Sequence, residues 1–160
     1  MARPRKKYRL FLLILILCGA TYSSAQTDIL LMAKADSAMD REARPLLILV
    51  STEWCRYCQM QKNQLRKNKD FQAKKNLFYF VEFDAESKEM IRFRGEEYRY
   101  RPTGASSGIH TLALALNGSE HIAFPTWVLL DRNYQVLFRY NGVLSPKQLK
   151  ELLQDIDKIN

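Results

Sequence analysis

Leu46-Leu47-Ile48-Leu49-Val50 is apolar at five successive positions. A run without alternation predicts a short strand covered on both faces of a sheet rather than one lying at an edge. Residues 76–84, with Leu77, Phe78, Tyr79, Phe80, Val81 and Phe83, predict a second buried strand. The stretch between the two holds helical spacing from Cys55 toward Lys69, so the strands are expected to run parallel in a β-α-β unit. Ahead of them, Thr27-Asp28 can cap a helix that reaches about Glu42 and buries Ile29, Met32, Ala33 and Met39, with Arg44-Pro45 ending it.

Farther along, Ile91 and Phe93, then Tyr98 and Tyr100, flank Arg94-Gly95-Glu96 and predict a small hairpin packed by its tyrosines. Residues 101–108 read as a loop. Ile109 to Leu116 regains helical spacing until Asn117-Gly118 stops it. Residues 125–130 and 135–140 predict two antiparallel strands joined across Asp131-Arg132-Asn133, with Trp127 in the core. Ser145, Pro146 and Gln148 supply an N-cap, a first-turn proline and a capping box for a last helix. Leu149, Leu152, Leu153, Ile156 and Ile159 line its inner face.

At 160 residues and 47% apolar content the chain suits one domain with a real core. The formal charge of +8 is uneven, because Arg3, Arg5, Lys6, Lys7 and Arg9 fall in the first 25 residues, which hold no acid. There a basic start precedes the apolar stretch from Leu10 and the small-residue exit at Ser23 and Ala25, the pattern of a signal peptide cleaved before Gln26. Residues 1–25 are therefore read as a signal peptide and 26–160 as the mature domain, exported to a periplasmic or other extracytoplasmic space. Roughly 11 apolar residues would span about 16 Å as a helix against about 30 Å of hydrocarbon, which argues against stable membrane insertion. A lipoprotein attached through Cys18 is the lesser alternative, with bulky Leu17 before it.

Without Cys18 the mature domain keeps two cysteines, Cys55 and Cys58, at the junction of the first strand and its helix. A disulfide across two residues closes almost no loop and adds little stability, so the pair is chemical before it is structural. Exported chains meet oxidants and mispaired disulfides, which gives a dithiol work to do.

The order β-α-β, helix, β-hairpin, helix, with Trp54-Cys55-Arg56-Tyr57-Cys58 after the first strand, Phe124-Pro125-Thr126 opening the hairpin and Asn141-Gly142 before the final helix, resembles the thioredoxin superfamily over about residues 45–159. The long segment from Ile91 to Phe124 is similar to exported thioredoxin-related proteins of bacteria. The resemblance implies an α/β thioredoxin fold: a central mixed β-sheet flanked by helices, with an inserted hairpin and helix segment before a cis proline at Pro125. It implies a nucleophile at Cys55, a resolving thiol at Cys58 and a substrate surface of Trp54, Phe124, Pro125 and Thr126. It calls for no cofactor and no metal. Its partners would be disulfide-containing exported proteins and a membrane thiol protein as electron donor. One departure is Leu49, which stands where thioredoxins carry a buried acid. Glu53, nearest in sequence, or water would have to serve the second thiol instead.

A helix N-terminus and Arg56 both favour a Cys55 thiolate, the attacking species in disulfide exchange. Competing readings of the pair are weaker. Zinc would need His110 and His121 at a spacing that no common motif uses. Covalent haem would need a histidine where Gln59 stands. A copper-handling or partner-binding module without turnover remains the main alternative. The basic run Lys62, Arg66, Lys67, Lys69, Lys74, Lys75 interleaves with polar residues rather than aromatics and reads as a solvated helix face, not a nucleic-acid surface.

Overall fold

The computed structural model describes residues 29–159. The expected leader, its cleavage site, Cys18 and the Thr27-Asp28 cap lie outside the described residues. The first helix is shorter than its pattern suggests: Leu30 donates to the Phe80 carbonyl at 2.8 Å, a turn of 3₁₀ helix covers Met32–Lys34, and α1 spans only Ala35–Arg41. Ile29, expected on the apolar face, is exposed.

Strand β1 (Leu46–Ser51) is buried at every position, as an unalternated apolar run requires. The helix after it breaks in two, α2 (Arg56–Lys67) and α3 (Lys69–Ala73), because Asn68 is extended and its side chain caps the Phe71 N–H at 2.8 Å. Strand β2 (Tyr79–Asp84) then pairs parallel with β1 from Leu46↔Tyr79 to Ser51↔Asp84.

The inserted segment holds more pairing than its sequence pattern predicts. Strands β3 (Ile91–Phe93) and β4 (Glu96–Tyr98) form the expected hairpin. Tyr100 belongs to a second one, β5 (Tyr100–Pro102) against β6 (Gly108–His110), where a loop was expected. A side chain at Gly108 would collide with the Tyr100 ring, so only glycine admits this close pairing. Helix α4 consequently begins later, at Thr111, and ends at Asn117 before Gly118 in the left-handed conformation.

Strands β7 (Thr126–Leu130) and β8 (Val136–Asn141) complete a mixed sheet of order β2-β1-β7-β8, and α5 (Pro146–Lys158) carries the predicted capping box. The core has two layers. Leu46, Ile48, Val50, Val81 and Val128 pack under α1 and α4 on one face, while Leu47, Leu49, Phe80, Trp127 and Leu129 pack under α2, α3 and α5 on the other. Ile159, placed on the inner face of α5 by its spacing, lies past the helix end and is exposed.

His110 fastens the insertion to the core. It is fully buried, edge-on to Phe83, and its Nδ1 accepts from the Leu112 N–H at 3.2 Å. The proton is therefore on Nε2, which donates to the Glu89 carbonyl at 2.9 Å. Burial lowers its pKa below the ordinary 6.5, against an opposing contribution from the Glu89 carbonyl. The unfolded chain then protonates first, so the stability tied to neutral His110 is present above about pH 6.5 and is lost as pH falls through the depressed folded value. Urea unfolding of the wild type and His110→Gln should show the variant less stable at pH 8, with the gap narrowing toward pH 5.

Candidate active site

Strand β1 delivers the chain to a tight turn in which the Cys55 N–H meets the Thr52 carbonyl at 3.4 Å. Cys55 is the N-cap of α2, extended in its backbone, and its sulfur accepts from the Cys58 N–H at 3.1 Å. The two cysteines are joined as a disulfide across a Cα separation of 5.2 Å. They differ in access: Cys55 is 5% exposed and Cys58 not at all. No acid occupies the first turn of α2, and exposed Arg56 follows Cys55 directly, so the open end of the helix presents positive potential to the outer sulfur.

Trp54 stands over this turn, 67% exposed. Its indole Nε1 donates to Glu86 at 3.1 Å, and its ring meets Phe124 edge-on at 6.1 Å. The Trp54 ring therefore links the loop after β2 to the loop before β7. Two surface hollows adjoin this region: one of about 550 Å³ takes in Trp54, Arg56, Met60 and Lys67, and another of about 510 Å³ takes in Asp84, Glu86, Lys88 and Tyr100. Exposed Glu53 borders both.

The Phe124–Pro125 peptide is cis, as the resemblance implied. Phe124 is half-buried, whereas Pro125 and Thr126 are buried. Thr126 turns away from the surface: its hydroxyl donates to the Ala123 carbonyl at 2.5 Å and lies 2.7 Å from the Asn141 side-chain amide. It pins the proline loop from behind. Thr126→Val removes a buried hydroxyl from two exposed partners that water can satisfy, so it is expected to cost about 0.5–1.5 kcal/mol in urea unfolding.

Behind the disulfide, Leu49 is fully buried, with Glu82 opposite it on β2 and Trp127 opposite it on β7. Cys58, Gln61 and Leu65 form the buried stripe of α2 above this face. Gln61 is satisfied, accepting from the Leu144 N–H at 2.6 Å and donating to Gln64 at 3.2 Å. Lys62 departs from the solvated face expected of the basic run: its ammonium lies 3.2 Å from Glu82, with the two side chains only 16% and 19% exposed. Sequence reasoning missed Glu82, Lys62 and Glu86. The first two were within reach of the parallel register and the helical period, while Glu86 required the fold of the loop. His110 is not placed for metal ligation, since both ring nitrogens are engaged within the protein. Among the described residues no cluster of three metal-ligating side chains occurs, and no helix is long and apolar enough to cross a membrane.

The structure resembles chloroplastic thioredoxin z, with a TM-score of 0.53 and 15% identity over 81% of this chain and 95% of the other. It also resembles the oxidoreductase DsbH, at TM-score 0.53 and 16% identity over 82% and 85% of the two chains. A disulphide isomerase from Xylella fastidiosa Temecula1 superposes at TM-score 0.52 and 19% identity, over 78% and 86%. No curated protein matches the sequence. The model of the thioredoxin-like domain family matches residues 32–157, which take in the mixed sheet, the cysteine pair at the head of α2 and all but the last residue of α5, and the chain belongs to the thioredoxin-like domain family.

Proposed function

We propose that this protein is an exported thiol–disulfide oxidoreductase that reduces or isomerises disulfides in other extracytoplasmic proteins. The observation that carries the reading is the asymmetric pair at the head of α2, a reachable Cys55 joined to an enclosed Cys58. In the reduced protein the Cys55 thiolate attacks a substrate disulfide, forming a mixed disulfide and releasing one substrate thiolate, which takes up a proton. Cys58 then gives up its proton and attacks the Cys55 sulfur. The second substrate thiol leaves, and two electrons have passed from the protein to its client. Trp54 and Phe124 form the wall that a client segment meets beside the reacting sulfur. Arg56 lowers the proton affinity of Cys55 from outside the turn, and a membrane thiol protein returns the electrons.

Export is supported by the basic, apolar and small-residue succession of residues 1–25. The intact mass of protein recovered from the extracytoplasmic fraction should correspond to a chain starting at Gln26. Direction is tested by equilibrating the purified protein with glutathione buffers and following reduction of insulin. A midpoint near −270 mV with catalysed reduction identifies a reductant, while one near −120 mV identifies an oxidant. No exchange with any protein disulfide, together with tight stoichiometric Cu(I) binding, overturns the enzyme in favour of a metal-handling module.

A further inference from the structure

Resolution requires Cys58 to lose a proton, yet its side chain is fully enclosed and the strand beneath it offers Leu49 in place of an acid. The nearby polar groups do not accept a proton at neutral pH. The Gln61 amide is engaged on both sides, the Thr126 hydroxyl is held by Ala123 and Asn141, and Thr52 offers only a hydroxyl. Glu53 sits on the outer surface bordering the two hollows, and Arg56 is a cation on the exposed first turn. Asp84, at the end of β2, is exposed and borders the hollow on the insertion side.

Glu86 accepts from the Trp54 indole and borders the same outer hollow as Asp84. Lys62 and Glu82 remain. Lys62 follows Cys58 by four residues, so the two share a helix face one turn apart. Glu82 lies opposite Leu49 in the parallel register, on the sheet face covered by α2. Their 3.2 Å pair is mostly enclosed but still touches solvent, and it borders a small hollow of about 60 Å³ that Arg66 also lines. The pair therefore lies one helical turn from Cys58 along α2 and level with Leu49 across the sheet.

We propose that Glu82 is the proton acceptor for Cys58 and that Lys62 is its positioning residue, so that this ion pair replaces the acid missing at Leu49. The inference rests on the oxidoreductase reading and deepens it. The proton passes from the Cys58 sulfur, by way of solvent entering the gap between α2 and β2, to the Glu82 carboxylate. The Lys62 ammonium, released from a full negative charge, then faces the new thiolate one turn away. That thiolate forms the bond to the Cys55 sulfur as the client thiolate departs. Reversal of the proton path occurs when the disulfide is reduced again.

The test uses the reduced mature protein and dithiobis(nitrobenzoate), whose thionitrobenzoate is released in two phases. Attack by Cys55 gives the first and leaves the nitrobenzoate mixed disulfide, and attack by Cys58 on Cys55 gives the second. Glu82→Gln should slow the second phase at least about tenfold at pH 7, leave the first unchanged, and lose the deficit as pH rises past the ordinary thiol pKa of about 8.5. The double variant Glu82→Leu with Lys62→Leu, which removes both charges and keeps the site apolar, should show the same pH-dependent deficit. Second phases with wild-type rate and pH profile in both variants overturn the proposal, as does a second phase slowed by Glu53→Gln instead. The oxidoreductase reading fails separately, if the wild type completes both phases yet turns over no protein disulfide.

Discussion

Cys58→Ser is expected to accumulate as mixed disulfides with client proteins through Cys55, and Cys55→Ser to fall to the uncatalysed background in disulfide exchange. The asymmetry comes from burial and the cap. Cys55 is the cysteine that keeps some exposure, 5%, at the open end of a twelve-residue helix, while Cys58 one turn inside has none. A well-oriented intramolecular attack has an effective molarity of about 10⁵ M or more, which no solution thiol can match. Removing Cys58 therefore leaves the first step intact and stalls the second. Removing Cys55 leaves a thiol that a client disulfide cannot reach. Non-reducing electrophoresis with mass spectrometry of the trapped species reads both outcomes. Equal trapping by the two variants, or trapping by Cys55→Ser alone, would reverse the assigned roles.

Much of this arrangement is legible in the chain itself, for identifiable reasons. An apolar run without alternation has one stable home, so the run and β1 agree to within a residue. The capping box of α5 fixes its start through local hydrogen bonds that need no tertiary context. The insertion was harder to read. Pairing of β5 with β6 depends on Gly108 clearing the Tyr100 ring, a contact that no residue pattern announces. The break between α2 and α3 follows from an asparagine whose cap competes with a helix that spacing alone would continue. At the site, the cysteines, Trp54 and the Phe124-Pro125 pair stand out as motifs. Glu82 and Glu86 do not, because their importance comes from which strand and which loop lie beside the cysteines. Thr126 belongs to a motif yet faces inward, which only the neighbouring strand β8 reveals.

Trp127→Ala is expected to lower stability by about 3–5 kcal/mol, the usual cost of removing a large buried aromatic. Trp127 is wholly enclosed between Leu49 and Tyr140 in register, 6.5 Å from the Phe80 ring, in the layer covered by α2, α3 and α5. Its environment is also imperfect in one respect, since the buried indole Nε1 has no hydrogen-bond partner. An orphaned buried donor costs about 1–3 kcal/mol. Trp127→Phe removes that donor together with part of the ring, so the two effects oppose and its loss should stay below about 1.5 kcal/mol. Urea midpoints at pH 7 separate the cases, and an alanine variant no weaker than the phenylalanine one would contradict the packing assigned to this residue. Trp127 also follows Thr126 directly, so a loosened β7 could disturb the proline loop as well as the core. If its role is packing alone, exchange activity per folded molecule should stay within about twofold of wild type in Trp127→Phe. A larger loss at full folding would mean that this layer holds the cis-proline loop in register with the cysteines, and that the core and the site are one mechanical unit.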